Sequence, residues 1–107
     1  MEKPNLNYID QLARGDQSIK DTLVKVIIDE FPEEKKDYFD SVKLNDFEII
    51  ASNIHRIKHK FSILGLEKSY KEAEKLEHLL REGSSDDVLK VTFENTLTEI
   101  TKYLKTI

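Results

Sequence analysis

The sequence predicts an all-α protein: an antiparallel four-helix bundle with a short additional N-terminal helix. Three observations predict it. Apolar residues recur at helical spacing, most cleanly at Phe47, Ile50, Ile54, Ile57, Phe61 and Leu64, in steps of 3, 4, 3, 4 and 3. Only three Gly and two Pro occur in 107 residues, too few to turn the corners of a β-sandwich or barrel of that length. All three glycines, Gly15, Gly65 and Gly83, fall between periodic segments, where they read as helix stops. The length is that of one domain, residues 1–107.

The first segment, roughly Asn5 to Arg14, carries Leu6, Ile9 and Leu12 with Tyr8 alongside, and Gly15 ends it. Asp16 is placed to cap a second helix, whose apolar residues are Ile19, Leu23, Val26, Ile27, Phe31, Tyr38, Phe39 and Val42. Pro32 falls inside this pattern and removes one helical N–H, so a kink is expected there. Asn45 or Asp46 caps the third helix, which carries the stripe already described. The fourth runs on to Glu82 with Leu66, Tyr70, Ala73, Leu76 and Leu80. Ser84, Ser85 and Asp86 offer a cap for the fifth, which places Val88, Phe93, Leu97, Ile100, Leu104 and Ile107 on one side. Four amphipathic helices on short connections are best satisfied by an antiparallel bundle, with the first helix covering an end or a flank.

Composition narrows the chemistry. Seventeen Lys and Arg against 21 Asp and Glu leave a net charge of −4, which disfavours nucleic-acid binding driven by bulk charge. The absence of cysteine excludes disulfides, thiolate zinc sites and thiol catalysis. No Gly-rich loop is present, so neither a P-loop nor a dinucleotide fingerprint exists. The longest apolar runs, such as Val26-Ile27-Ile28, are far too short to span a bilayer, and the first residues lack the apolar core of a signal peptide. A cytoplasmic protein that needs no membrane is the expectation.

The informative segment is Ile54 to Gly65. With Ile54 set at zero on a helical wheel, the apolar stripe spans from about −80° (Leu64) to about +20° (Phe47). His55 falls near about +100°, off the stripe and toward solvent, and Lys58 near about +40°, at the boundary one turn away. Ala51, Ser52, His59 and Ser62 surround His55, and three of these four are small enough for a partner to approach the imidazole. An exposed imidazole offers a neutral nitrogen at pH 7 and can act as a nucleophile. A cation one turn away can stabilise phosphoryl oxygens. No base or oxyanion hole accompanies them in the sequence, so the other half of such chemistry falls to a partner.

These residues resemble the motif of histidine-containing phosphotransfer domains, which carry His-x-x-Lys-Gly on a bundle helix and a further Gly ten residues after the His. His55, Lys58 and Gly65 match at +0, +3 and +10, Ile57 matches the apolar residue before the Lys, and Leu76-Glu77 resembles a Leu-Glu pair on the next helix. One position departs: the Gly at +4, which leaves room for a docking partner, is His59 here. The resemblance implies a phosphorelay intermediate with His55 as phosphoacceptor and Lys58 stabilising the phosphoryl group. It implies response-regulator receiver domains and a hybrid histidine kinase as partners, with Mg²⁺ on the receiver and no cofactor on this chain. It also implies a carrier turned over by its partners rather than an enzyme. The docking face would be Ala51, Ser52, His59 and Ser62, with Tyr8, Ile9 and Leu12 of the first helix adding apolar contacts. A single His on a self-sufficient bundle favours a monomer.

Other readings are weaker. His55 and His59 form an i, i+4 pair that can ligate a metal, but Arg56 stands where a zinc-protease helix has Glu, and Lys58 and Lys60 flank the pair, so no metal is expected. The basic run Arg56, Lys58, His59, Lys60 reads as a solvated positive face that suits an acidic partner better than nucleic acid. Glu33-Glu34-Lys35-Lys36 reads as solvated helix surface. The dimerisation helices of a histidine kinase have an acidic residue directly after the His, where Arg56 stands. The alternative from another class is a helical adaptor that binds receivers or another protein without phosphotransfer, which the loss of the +4 Gly favours.

Overall fold

A computed structural model describes residues 2–107. The described chain is all-helical: α1 (Asn7–Ala13), α2 (Gln17–Leu44), α3 (Phe47–Ile63), α4 (Glu67–Arg81) and α5 (Asp87–Leu104). Each boundary has a local cause. Asp16 accepts from the Ser18 and Ile19 amides at 2.9 and 3.2 Å, Asp46 from Glu48 and Ile49 at 3.1 and 3.3 Å, and Asp86 from Leu89 at 2.9 Å. These carboxylates satisfy amides that the first turn of a helix leaves unpaired. The N-cap residue of α4, Leu66, offers no such group. Glu2 supplies it from the far end of the chain, accepting from the Lys68 and Ser69 amides at 2.9 and 3.1 Å. α2 passes through Pro32 as one continuous helix, with the proline ring at the surface.

The stripe on α3 lies at the centre of the core. Ile54, Ile57, Phe61 and Leu64 are fully buried, with Phe31 and Tyr38 of α2, Ala73 and Leu76 of α4, Phe93, Leu97 and Ile100 of α5, and Ile9 of α1 in the same cluster. α3 packs on both α2 and α4, α5 packs on α4 and more sparsely on α2, and α1 packs on α2. Phe93 joins the layers, its ring 4.9 Å from that of Tyr38 and 5.4 Å from that of Phe61. The Tyr38 hydroxyl donates to Glu94 at 2.8 Å, tying α2 to α5. Burial and the Glu94 carboxylate both push the Tyr38 hydroxyl up, so it stays a donor throughout the ordinary pH range.

Some residues assigned to core stripes are at the surface. Ile19 and Val26 on α2, and Val88 and Ile107 at the ends of the last segment, are exposed. Length bears on Ile19, while Val26 falls off the inward face that buried Ile27 marks. At 1.5 Å per residue, α2 is about 42 Å long and α3 about 26 Å, so α2 overhangs its neighbour and offers its first turns to α1 instead. Phe39 and Phe47 pack against the core but stay partly exposed, while Phe31, Phe61 and Phe93 are buried. Ile63 also packs on the core, whereas Ile49 is exposed.

Gly65 has two reasons to be glycine. Its φ of +79° lies in the left-handed region, and a Cβ there would meet the Asn5 side chain at 2.6 Å. Asn5 is pinned in place: its backbone N–H donates to the Leu64 carbonyl at 2.9 Å and its side-chain Oδ1 accepts from the Asn7 backbone N–H at 3.0 Å. Gly83 has a similar φ, +83°, but open space around it. Gly65→Ala is therefore expected to destabilise more than Gly83→Ala, by about 2 kcal/mol against about 1 kcal/mol. Urea unfolding of the two variants checks this, and equal losses would mean that the Asn5 side chain does not restrict position 65.

Candidate functional site

His55 sits midway along α3 with its side chain 51% exposed. Its Nδ1 lies 3.1 Å from Oε2 and 3.3 Å from Oε1 of Glu77 on α4. Glu77 is the hub of the site. Its side chain is only 6% exposed, and it accepts from Lys58 Nζ at 3.0 Å and from Arg81 Nε at 3.2 Å as well as facing His55. Arg81 also reaches toward Glu48 at 3.7 Å, and Lys58 toward Glu74 at 4.0 Å, with its ammonium over the Tyr70 ring. One buried carboxylate thus holds a lysine amine, an arginine guanidinium and an imidazole.

The local sequence puts Glu77 there. It stands four residues after Ala73 and three before Leu80, both buried, so it lies on the inward face of α4. Arg81, four residues further, lies over it on the same face. Lys58 follows His55 by three residues and points into the α3–α4 seam. Burial pushes the Glu77 carboxyl up, but hydrogen bonds from Lys58 and Arg81, with the charges of Lys58 and His55, outweigh it and hold the group below the usual glutamate range.

The sign of the pH dependence follows. A carboxyl that titrates lower in the folded than in the unfolded chain binds fewer protons when folded. Its stabilising contribution is fully present above the ordinary glutamate value and is lost as pH falls through the folded one. Unfolding free energies of wild type and Glu77→Gln are expected to differ at neutral pH and to converge as pH falls below the ordinary glutamate range. A difference independent of pH would mean that the charge of Glu77 is not what holds the seam.

The predicted site residues divide into two sets. Ser52, His59 and Ser62 are at the surface with His55, and Tyr8 and Leu12 expose almost half of their area. Tyr8 and Ser62 line one shallow surface cavity, so the outer face of α1 is continuous with the end of α3. Ala51 and Ile9 are fully buried, which corrects their assignment as docking contacts. Ala51 lies on the α4 side of α3, where the helices pack most extensively, and Ile9 is the inward residue of α1. Lys58 is also placed differently from the boundary position expected of it. Its side chain is 7% exposed and its amine is committed to Glu77.

The basic run is dispersed rather than presented. Lys58 turns into the α3–α4 seam, while Lys60 turns into the α2–α3 seam and meets Glu30 at 2.9 Å and Glu34 at 3.4 Å. Arg56 faces Asp37 at 3.5 Å. Each cation has its carboxylate, so the expected positive face around His55 is largely neutralised. Glu34, expected on solvated surface, is buried beside Lys60. On the same flank, Asn53 donates to the Asp37 carbonyl and to Ser41 Oγ, both at 3.1 Å. α3 is therefore fastened by a polar ladder on each side and by apolar packing beneath, which leaves only the His55 face open.

The His59 ring lies edge-on to that of His55, with centroids 5.2 Å apart. The wheel, which sets them about 40° apart, understates this proximity, since residues four apart on a helix are neighbours. Among the described residues no group of three or more His, Cys, Asp or Glu is arranged to hold a metal, and no described helix is long and apolar enough to cross a membrane. The residue that sequence reasoning missed as a site residue is Glu77. A carboxylate on the apolar stripe of α4, with Arg81 four residues on, was the available signal. Comparison with family models, with curated proteins and with solved structures returned no match.

Proposed function

We propose that this chain is a phosphorelay intermediate built as an antiparallel four-helix bundle with one extra N-terminal helix. His55 takes a phosphoryl group from the phospho-aspartate of a receiver domain and passes it to another. The observation that carries this reading is the exposed imidazole whose Nδ1 faces a buried carboxylate. A proton on Nδ1 donates to Glu77, which leaves the lone pair on Nε2, the nitrogen at the far end of the ring. Nε2 attacks phosphorus, the bond from phosphorus to the aspartyl oxygen breaks, and the aspartate leaves as a carboxylate. The ring keeps its Nδ1 proton and gains positive charge, which Glu77 faces. Transfer to the next aspartate reverses each step.

In this reading His55 is phosphorylated and dephosphorylated by its partners, so the chain acts as a carrier rather than as an enzyme. Magnesium belongs to the receiver. The partners are receiver domains, including one on a hybrid histidine kinase, and the chain works as a cytoplasmic monomer. Ser52, Ser62, Tyr8 and Leu12 form the surface such a receiver would cover. Incubation with phosphorylated receiver domains and Mg²⁺ tests this. The expected result is an acid-labile, base-stable phosphoryl group on wild type and none on His55→Gln. Binding of receivers without any label would support the adaptor reading instead.

A further inference from the structure

Lys58, the nearest lysine in sequence to His55, is not free to hold phosphoryl oxygens, because its buried amine is bound to Glu77. Arg81 is divided between Glu77 and Glu48, and Arg56 faces Asp37 on the α2 side. The one ring donor standing beside His55 is His59, exposed and edge-on at 5.2 Å between centroids. The hydrogen bonds of the site run through His55, and among the described residues no protein group is hydrogen-bonded to either ring nitrogen of His59, which faces solvent. We infer that His59 is the phosphoryl-binding residue of the phosphorylated state, its ring N–H donating to an oxygen of the group on His55 Nε2. This inference rests on the reading of His55 as phosphoacceptor.

The chemistry favours a donor at this place. A phosphoryl group carries its negative charge on the non-bridging oxygens, and a charge-assisted N–H bond to one of them is about twice as strong as a neutral one. Cleavage of the P–N bond through a loose transition state moves electrons toward the leaving nitrogen and away from those oxygens. A donor on the oxygens therefore holds the phosphorylated ground state more than the transition state, and lengthens its life. His59, on the surface, stands where it can take the part that Lys58, bound to Glu77 in the α3–α4 seam, does not.

The test loads the protein chemically with phosphoramidate, a small phosphoryl donor, and follows the phosphorus resonance of His55 as it decays. Wild type, His59→Gln, which keeps an N–H donor, and His59→Phe, which keeps a ring without one, are compared. The expected result is a lifetime shortened by about three- to tenfold in His59→Phe and largely retained in His59→Gln. Equal lifetimes in all three, or a longer one in His59→Phe, would overturn the inference. These outcomes are independent of whether a receiver can load His55, so failure of the transfer experiment alone overturns the relay and not the pairing of the two rings. Failure of phosphoramidate to load His55 at all would overturn both, since it denies an accessible Nε2.

Discussion

Glu77→Ala is expected to cost about 3 kcal/mol of folding stability, the largest loss of any single polar substitution considered. The reason lies in what remains behind. Lys58 keeps its ammonium in the α3–α4 seam, 7% exposed, facing Glu74 at a long 4.0 Å and the Tyr70 ring, with no carboxylate in direct contact. An unpaired buried charge is far more costly than a missing pair. Glu77→Gln keeps an oxygen acceptor and should lose about half as much. The double replacement Lys58→Met with Glu77→Leu removes both charges and should recover most of the loss, because apolar side chains of similar volume pack well in such a seam. Urea denaturation of the four proteins checks the order. If the double variant were no more stable than Glu77→Ala, packing and not charge would explain the effect.

His55→Gln is expected to reduce phosphoryl uptake from receivers to background while leaving the fold intact. The imidazole is half exposed and touches the network at one edge only, so losing it should shift stability by less than about 1 kcal/mol. Glutamine can still donate to Glu77. Uptake and melting temperature measured on the same preparation separate the two roles. A large drop in melting temperature would show that His55 holds the α3–α4 seam, and persistent uptake that followed His59 would move the acceptor one turn along the helix.

Much of this architecture could be read in the chain because its causes are local. Asp16, Asp46 and Asp86 cap their own helices, and the three glycines end theirs, so each signal lies within a few residues of its effect. The same holds for the 3, 4, 3, 4, 3 stripe of α3, buried where the wheel put it from Ile50 to Leu64 with Phe47 at its edge partly exposed, and for His55, which is exposed where the wheel put it. What escaped depends on partners distant in sequence. Glu2 caps α4 across 66 residues, and Glu77 meets His55 across 22. Lys58 and Lys60 look like solvated cations until helices on either side bring carboxylates to them. Ala51 was misread for a related reason: α4 approaches over that side of α3, so the buried arc is wider than the apolar residues alone indicate.

In the proposed function Glu77 holds His55 by Nδ1 and leaves Nε2 to meet the phosphoryl donor. This arrangement is tested most directly by loading the nitrogen-15-labelled protein from a phosphorylated receiver and recording which imidazole nitrogen couples to phosphorus. The expected result is coupling to Nε2 of His55 alone, with its Nδ1 still protonated and facing Glu77. Phosphorus on Nδ1 of His55, or on another residue, would contradict it.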